Sequence, residues 1–359
     1  MVNFCECSTD GHCSRYNREM RGRMRELCAG VNTDLGTAAA FREQWRREAK
    51  VEVPTSPSQH LILKTGQAPG DAVAMTAAIY SLHKAHPGKY TTSVESYWPD
   101  VFLHNPDVKD HSLPGEESTG TPIEMHYPAI HRSNERGIHF MQGWCEFLSE
   151  ALGVAIPLAT NRPQLYFDRS PPPVEDWWLI CAGGKKDFTN KQWGSYQRVV
   201  ELLEGKVKFL QVGGCQPIVR WREDIRKTQE DYHPRLEGTI DMIGKTSLRE
   251  LFYLARKAKG ILCGVSLLMH VAAALEKPAV IIAGGREPVQ WNAYPKQHYL
   301  HTVGSLSCCE EACWTARTVP LGDGSPLDLS LCERPIGAIP ECMERITPEE
   351  VAATVSRTR

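Results

Sequence analysis

From Trp177 to Ala283 the chain repeats one pattern: a short apolar run, a glycine-bearing break, then a segment with helical spacing. Trp177 to Ala182 reads as a buried strand, followed by a helix from about Ser195 to Leu203. Val207 to Val212 is the next strand and ends in Gly213-Gly214. Ser247 to Lys257 carries Leu248, Leu251, Phe252 and Ala255 at helical spacing and reads as an amphipathic helix. Ile261-Leu-Cys is then a strand, Leu267 to Leu275 a helix, and Ala279 to Ala283 a further strand ending in glycines. Strands and helices alternating at this spacing predict a parallel sheet covered on both faces. Crossovers in such sheets are right-handed, and ligands sit beyond the carboxyl ends of the strands.

At 359 residues the chain is too long for one comfortable core. Ser170-Pro-Pro-Pro is stiff, extended and free of periodicity, as a connection between domains should be. Before it, Leu61-Ile-Leu-Lys is a short strand, a glycine-bearing turn follows, and a helix runs from Asp71 to Ala85 until Pro87-Gly88 stops it. The expected organisation is an α/β fold of two Rossmann-like domains with parallel sheets facing a cleft. Residues 59–169 form the first of these domains and residues 170–359 the second, which carries a Cys-rich segment at 308–342. Residues 1–58 are a Cys-containing, Arg-rich extension ending in the linker Val51-Glu-Val-Pro-Thr-Ser-Pro-Ser.

A net charge of −2 argues against a protein that lives on nucleic acid, which needs clustered Lys and Arg. One local exception is the stretch Arg15 to Arg25, with five arginines against Glu19 and Glu26. It reads either as a solvated helix face or as a docking surface. No stretch reaches the roughly 18 apolar residues of a membrane span. The N-terminus has neither the basic head nor the apolar run of a secretory signal, so a cytoplasmic protein is expected.

Three segments carry chemistry. In Gly66-Gln-Ala-Pro-Gly-Asp71, between strand and helix, the glycines let a ligand approach and the turn exposes N–H groups at a helix start. Gly66, Gln67 and Gly70 are read as acceptor-side residues. Asp71 is either a helix cap or a general base at the mouth of the cleft. The Lys-Ser/Thr pair of a Walker loop is absent. The second segment, Gly183-Gly-Lys-Lys-Asp-Phe-Thr-Asn-Lys-Gln-Trp193, follows a strand. Gly183, Gly184, Lys185, Thr189 and Lys191 can hold a departing diphosphate there, or the loop is simply solvated. In the third, a helix beginning at about Ser266 points its amide end at the cleft, and His270 either contacts the donor or packs under the sheet.

Together these segments resemble the heptosyltransferase-type glycosyltransferases of family nine over roughly residues 60–300. The motifs are Gly70-Asp71 with Thr76 and Ala77-Ala78, then Asn105-Pro-Asp-Val, and Met269-His-Val-Ala-Ala-Ala-Leu-Glu-Lys-Pro-Ala-Val. After these come the loop Gly-Gly-Arg-Glu-Pro-Val-Gln-Trp291 and Tyr294. The resemblance implies the GT-B architecture and an inverting transfer from a nucleotide sugar, ADP-heptose among the candidates, to a saccharide hydroxyl. It implies Asp71 as catalytic base, Lys191 at the donor phosphate, and donor contacts at Ser266, Met269, His270, Gly284, Gly285 and Glu287. No catalytic divalent metal is expected. The family's Asp-Ser/Thr-Gly triplet is replaced by Val265-Ser266-Leu267. That departure leaves the donor open and motivates a second reading, a non-catalytic sugar-nucleotide or metal-binding module. A third reading changes only the acceptor, to a protein or a hydroxymethylated DNA base.

Thirteen cysteines in a chain expected to stay in a reducing compartment point to metal. The sets are Cys5, Cys7, Cys13 and Cys28 near the N-terminus, and Cys308, Cys309, Cys313, Cys332 and Cys342 near the C-terminus. Four thiolates suit structural zinc or iron. Neither set has Cys-x-x-Cys spacing, and the alternative is free or buried thiols. The C-terminal set is similar to that of the autotransporter heptosyltransferases, in which cysteines bind iron. Cys145, Cys181, Cys215 and Cys263 fall in helix or strand patterns and are expected in the core.

Overall fold

The computed structural model describes residues 58–115, 119–125, 137–185, 191–214, 218–222, 225–229, 231–309, 335–336 and 339–358. All lie within the compact unit Pro54–Arg359. The N-terminal cysteine set, the Arg-rich stretch, Thr189, Cys215, Cys313 and Cys332 lie outside the described residues.

The first sheet is built around β1 (Gln59–Thr65), where Leu61, Ile62 and Leu63 are buried, so the strand is covered on both faces. With β2 (Tyr90–Ser96), β3 (Val108–Ser112) and β4 (Thr121–Glu124) it forms a parallel sheet of order β3-β2-β1-β4. Helix α1 (Pro69–Ala85) starts on a proline whose fixed φ suits the first turn. From Gly70 to Leu82 it is buried almost all round, which is why its sequence is rich in alanine and lacks a polar stripe. Helix α2 (Phe140–Leu152) ends at Gly153 in the left-handed conformation, φ 63°.

The second sheet is also wholly parallel. Its strands are β5 (Trp178–Cys181), β6 (Phe209–Gln211), β7 (Ile240–Asp241), β8 (Gly260–Gly264), β9 (Ala279–Gly284) and β10 (Gln297–His301), in the order β7-β6-β5-β8-β9-β10. The order reverses between β5 and β8, the switch point of a doubly wound sheet. Helices α3 (Tyr196–Leu202), α4 (Leu248–Lys257) and α5 (Leu267–Ala274) fall where the spacing predicts them. Ser247 caps α4 reciprocally: its Oγ accepts from Glu250 N–H, and the Glu250 carboxylate accepts from Ser247 N–H. One face of the sheet is closed by α3 and a C-terminal helix, α6 (Pro348–Arg357), through Val199, Val200, Val351 and Val355. Residues of its other face join those of β1, α1 and α2 in a single apolar cluster.

The chain passes between the sheets along residues 156–169, and polar contacts stitch this segment to both. Ala159 N–H donates to Ser81 Oγ and Gln164 N–H to Thr76 Oγ1, both on α1. On the other side Arg162 Nη1 donates to Ala274 O at the end of α5 (2.7 Å), where a cation is favoured. The guanidinium carbons of Arg249 and Arg256 on α4 lie 4.4 and 4.1 Å from the Phe167 ring centroid. Contacts of this kind contribute about 0.5–2 kcal/mol each.

Gly260 and Trp178 sit opposite each other on β8 and β5. A Cβ on Gly260 would lie 2.5 Å from the indole, so the pair is filled by one large side chain. Gly260→Ala is expected to cost about 1–3 kcal/mol through overpacking, read as a lower midpoint in urea denaturation.

Candidate active site

The β1–α1 turn and the start of α5 meet closely. An ideal Cβ on Gly70 would stand 3.0 Å from His270 Cδ2 and 3.3 Å from Leu267 Cα, so a side chain there would push the two helix starts apart. Asp71 lies in the first turn of α1, and its Oδ2 accepts from Ala68 N–H (3.0 Å). The cap reading and the base reading are therefore compatible, because the cap fixes the carboxylate at the helix start. Trp98 Nε1–H donates to Gln67 O (2.9 Å), and Gln67 N–H donates to Thr65 Oγ1. Gly66 is exposed in the same turn, beside Tyr97.

A cluster of charge is built on Glu287. Lys191 Nζ is 2.5 Å from Glu287 Oε1, and Arg286 Nη1 reaches the same oxygen at 2.5 Å. Asn292 Nδ2 donates to the other oxygen of Glu287. Glu287 and Arg286 are buried, whereas 32% of the Lys191 side chain is exposed. Desolvation pulls Lys191 below its ordinary pKa, and the charges of Glu287 and Asp71 oppose that shift. The two cations hold the Glu287 carboxyl below its ordinary value despite burial. Asp71 also acts electrostatically on Tyr294, whose phenol is pushed upward mainly by burial.

His270 is buried and its Nδ1 shares a hydrogen bond of 2.8 Å with the Tyr294 hydroxyl. Burial drives its pKa down to about 3. His139 packs edge-on against Tyr294 with centroids 4.7 Å apart, and burial lowers it to about 4. Its Nδ1 accepts from Met141 N–H, so the proton of the neutral ring sits on Nε2. Both imidazoles are therefore neutral at pH 7. His270 packs against Gly70, as its packing reading expects.

The other expected donor residues have these surroundings. Met269 has its side chain in the core. Gly284 and Gly285 are buried, and they make room for sulfur. A Cβ on Gly285 would lie 2.6 Å from Cys309 Sγ and 3.2 Å from Cys342 Cβ, and one on Gly284 would lie 2.2 Å from Met343 Sδ. Gly184 and Lys185 pair antiparallel with Tyr232 and Asp231. His233 fills the space beside Gly183 and Gly213 at the ends of β5 and β6. Ser266 is the N-cap of α5 in extended conformation.

Cys309 and Cys342 are buried thiols and Cys308 is half-buried. Among the described residues no three metal-ligating side chains come together. Cys145, Cys181 and Cys263 are buried, as their patterns predict. The residues the sequence did not single out are Arg286, Asn292, His139 and His233. Arg286 adjoins Glu287 and was the most accessible of these, whereas His139 and His233 carry no local signal.

Residues 131–315, just over half of the chain, match the family model described as Glycosyltransferase family 9 (heptosyltransferase). Among solved structures, the fold is similar to that of the iron-containing dodecameric glycosyltransferase TibC of enterotoxigenic E. coli H10407. The two share 17% identity and a TM-score of 0.61, over 84% of this chain and 76% of that one. A family 9 glycosyltransferase of Veillonella parvula DSM 2008 is similar at 13% identity and TM-score 0.53, over 86% and 98% of the two chains. The E. coli heptosyltransferase WaaC, solved with ADP-2-deoxy-2-fluoro heptose, is similar at 11% identity and TM-score 0.51, over 84% and 100%. No curated protein sequence matches the chain.

The neutral His270 yields a pH prediction. Its folded pKa of about 3 lies below the ordinary 6.5, so the unfolded chain takes up a proton first as pH falls. The stability this group contributes is present above about pH 6.5 and declines below it, at ~1.4 kcal/mol per pH unit. His270→Asn should flatten the stability curve between pH 6 and pH 4 by that slope, measured by urea denaturation at each pH.

Proposed function

The chain belongs to glycosyltransferase family 9 and has the GT-B architecture, and we propose that it transfers a sugar with inversion from a nucleoside-diphosphate donor to a saccharide hydroxyl. The observation that carries this mechanism is the contact between the two helix starts, where a Cβ on Gly70, next to Asp71, would meet His270 and Leu267 of α5. Lys191, held by Glu287, comes from the loops of the second sheet, and the Asp71 charge favours its protonated form. Asp71 takes the proton of the acceptor hydroxyl as that oxygen bonds to the anomeric carbon. The bond from that carbon to the diphosphate oxygen breaks, and its electron pair leaves with the nucleoside diphosphate. Lys191 and the N–H groups at the start of α5 stabilise that leaving charge. The neutral His270–Tyr294 pair adds no charge to the site.

ADP-heptose is the donor we favour, because WaaC and TibC have been solved with ADP-heptose ligands. Gly66, Gln67 and Gly70 lie on the side where the acceptor would enter, with the division between domains at Ser170-Pro-Pro-Pro. We place the reaction in the cytoplasm, whose reducing conditions suit buried thiols such as Cys145 and Cys263. Among the described residues no helix is long and apolar enough to cross a membrane.

A structural metal at the C-terminal cysteines belongs to the same proposal. Cys309 and Cys342, far apart in sequence, both lie against Gly285. Cys313 and Cys332 would complete a four-thiolate set for iron or zinc. Its role is to staple the C-terminal segment behind the loop that presents Arg286 and Glu287.

Two measurements test the proposal. Release of nucleoside diphosphate from a panel of ADP-, UDP-, GDP- and dTDP-sugars should be specific for one donor. Asp71→Ala should lower it about 10²–10⁴-fold, and equal rates for variant and wild type would rule out the mechanism. Elemental analysis of protein purified without chelator should find about one iron or zinc per chain. Cys309→Ala should lose that metal and unfold at lower temperature.

A further inference from the structure

We infer that Glu287 is a positioning residue: its carboxylate anchors the Lys191 ammonium in the cleft beside Asp71, where a donor diphosphate binds. The inference rests on the glycosyltransferase reading and assigns Glu287 a task other than touching the donor.

The geometry is unequal at its two ends. Only 4% of the Glu287 side chain is exposed, and both its oxygens are engaged, one by Lys191 and Arg286 and the other by Asn292. Asn292 lies in a one-turn helix, Val289–Asn292, immediately downstream in the same loop, so the carboxylate is held by its own segment. Lys191 approaches from the loop after β5 with part of its side chain exposed, while its ammonium is desolvated against Glu287. Glu287 therefore points at Lys191 and not into the cleft, and the pair ties the loop after β5 to the loop after β9.

Charge counting explains why the pair does not block the site. A carboxylate shared by one cation would cancel it, and a phosphate would have to displace the carboxylate. Here Arg286 shares Glu287, so two cations divide one carboxylate and Glu287 alone does not neutralise Lys191. The charged groups acting on Lys191 are Glu287, Arg286 and Asp71, and Lys191 in turn acts on His270, which is neutral. Position 265 supplies no acid, although Gly264 beside it packs near the Lys191 carbonyl. Glu287 is thus the carboxylate of the second sheet's loops that faces this lysine. Without it, burial would favour the uncharged amine.

The test reads Lys191 directly. Competitive acetylation against pH, quantified by mass spectrometry, gives the titration of the Lys191 amine in wild type, Glu287→Gln and Glu287→Asp. Calorimetry with ADP, UDP, GDP and dTDP between pH 6.5 and pH 10 gives diphosphate binding by the same proteins. In Glu287→Gln the amine should titrate at lower pH. Binding should weaken roughly tenfold at alkaline pH, the loss of one charge-assisted contact, and less at pH 6.5. Glu287→Asp should lie between the two, which keeps the test open if Glu287→Gln does not fold. In a Lys191→Arg background the cation stays charged, so adding Glu287→Gln should leave the alkaline limb in place. An unchanged Lys191 titration in a folded Glu287 variant overturns the inference. If no nucleoside diphosphate binds wild type, the donor-binding reading fails instead, while the acetylation result still decides what Glu287 does to Lys191.

Discussion

At Gly70 a hydrogen takes the place of a side chain, and the closeness of the two halves of the site follows from it. The start of α1 lies against the start of α5 because a Cβ there would meet the His270 ring and the Leu267 backbone. Two helix N-termini, each with unpaired N–H groups and a partial positive charge, are brought to one place. Asp71 lies in the first turn of one, and the diphosphate side of the proposed site opens on the other. The same approach buries His270, and burial keeps it neutral. Geometry and electrostatics at this site thus share one steric cause.

The surrounding structure makes that approach durable. A single apolar cluster runs from β1, α1 and α2 into α5, β5, β8 and β9. The crossing segment adds hydrogen bonds to Thr76 and Ser81 on one side and the Arg249–Phe167–Arg256 stack on the other. At the end of β9, Gly284 and Gly285 give the space of two side chains to Met343, Cys309 and Cys342. The loop carrying Arg286 and Glu287 is therefore backed by sulfur-bearing side chains on one face and bonded to Lys191 on the other.

Much of this was legible because the relevant information is local. Apolar runs of strand length, ended by glycines and followed by helical spacing, fix the identity of β5, β6, β8, β9, α3, α4 and α5 to within about two residues. Strands β2 and β3 were not read, because their residues are mostly polar: Thr92, Ser93, Glu95 and Ser96 are buried with no apolar run to mark them. The hairpin formed by Ile218–Arg222 and Ile225–Gln229 was missed for a similar reason, since charged residues interrupt it.

The sequence by itself determined the parallel α/β layout, the placement of Asp71 at a helix start, and a lysine on the loop after a strand. These depend on residues within one or two turns of each other, where periodicity and turn chemistry decide. Only the tertiary structure decided that Lys191 meets Glu287, that Gly70 meets His270, and that Cys309 and Cys342 share a wall. Each partner has a local sequence that would suit solvent equally well. What selects the partner is burial: a carboxylate or imidazole removed from water must be neutralised, hydrogen-bonded or kept uncharged by whatever the fold brings beside it. That choice belongs to the path of the whole chain and to no single stretch of it.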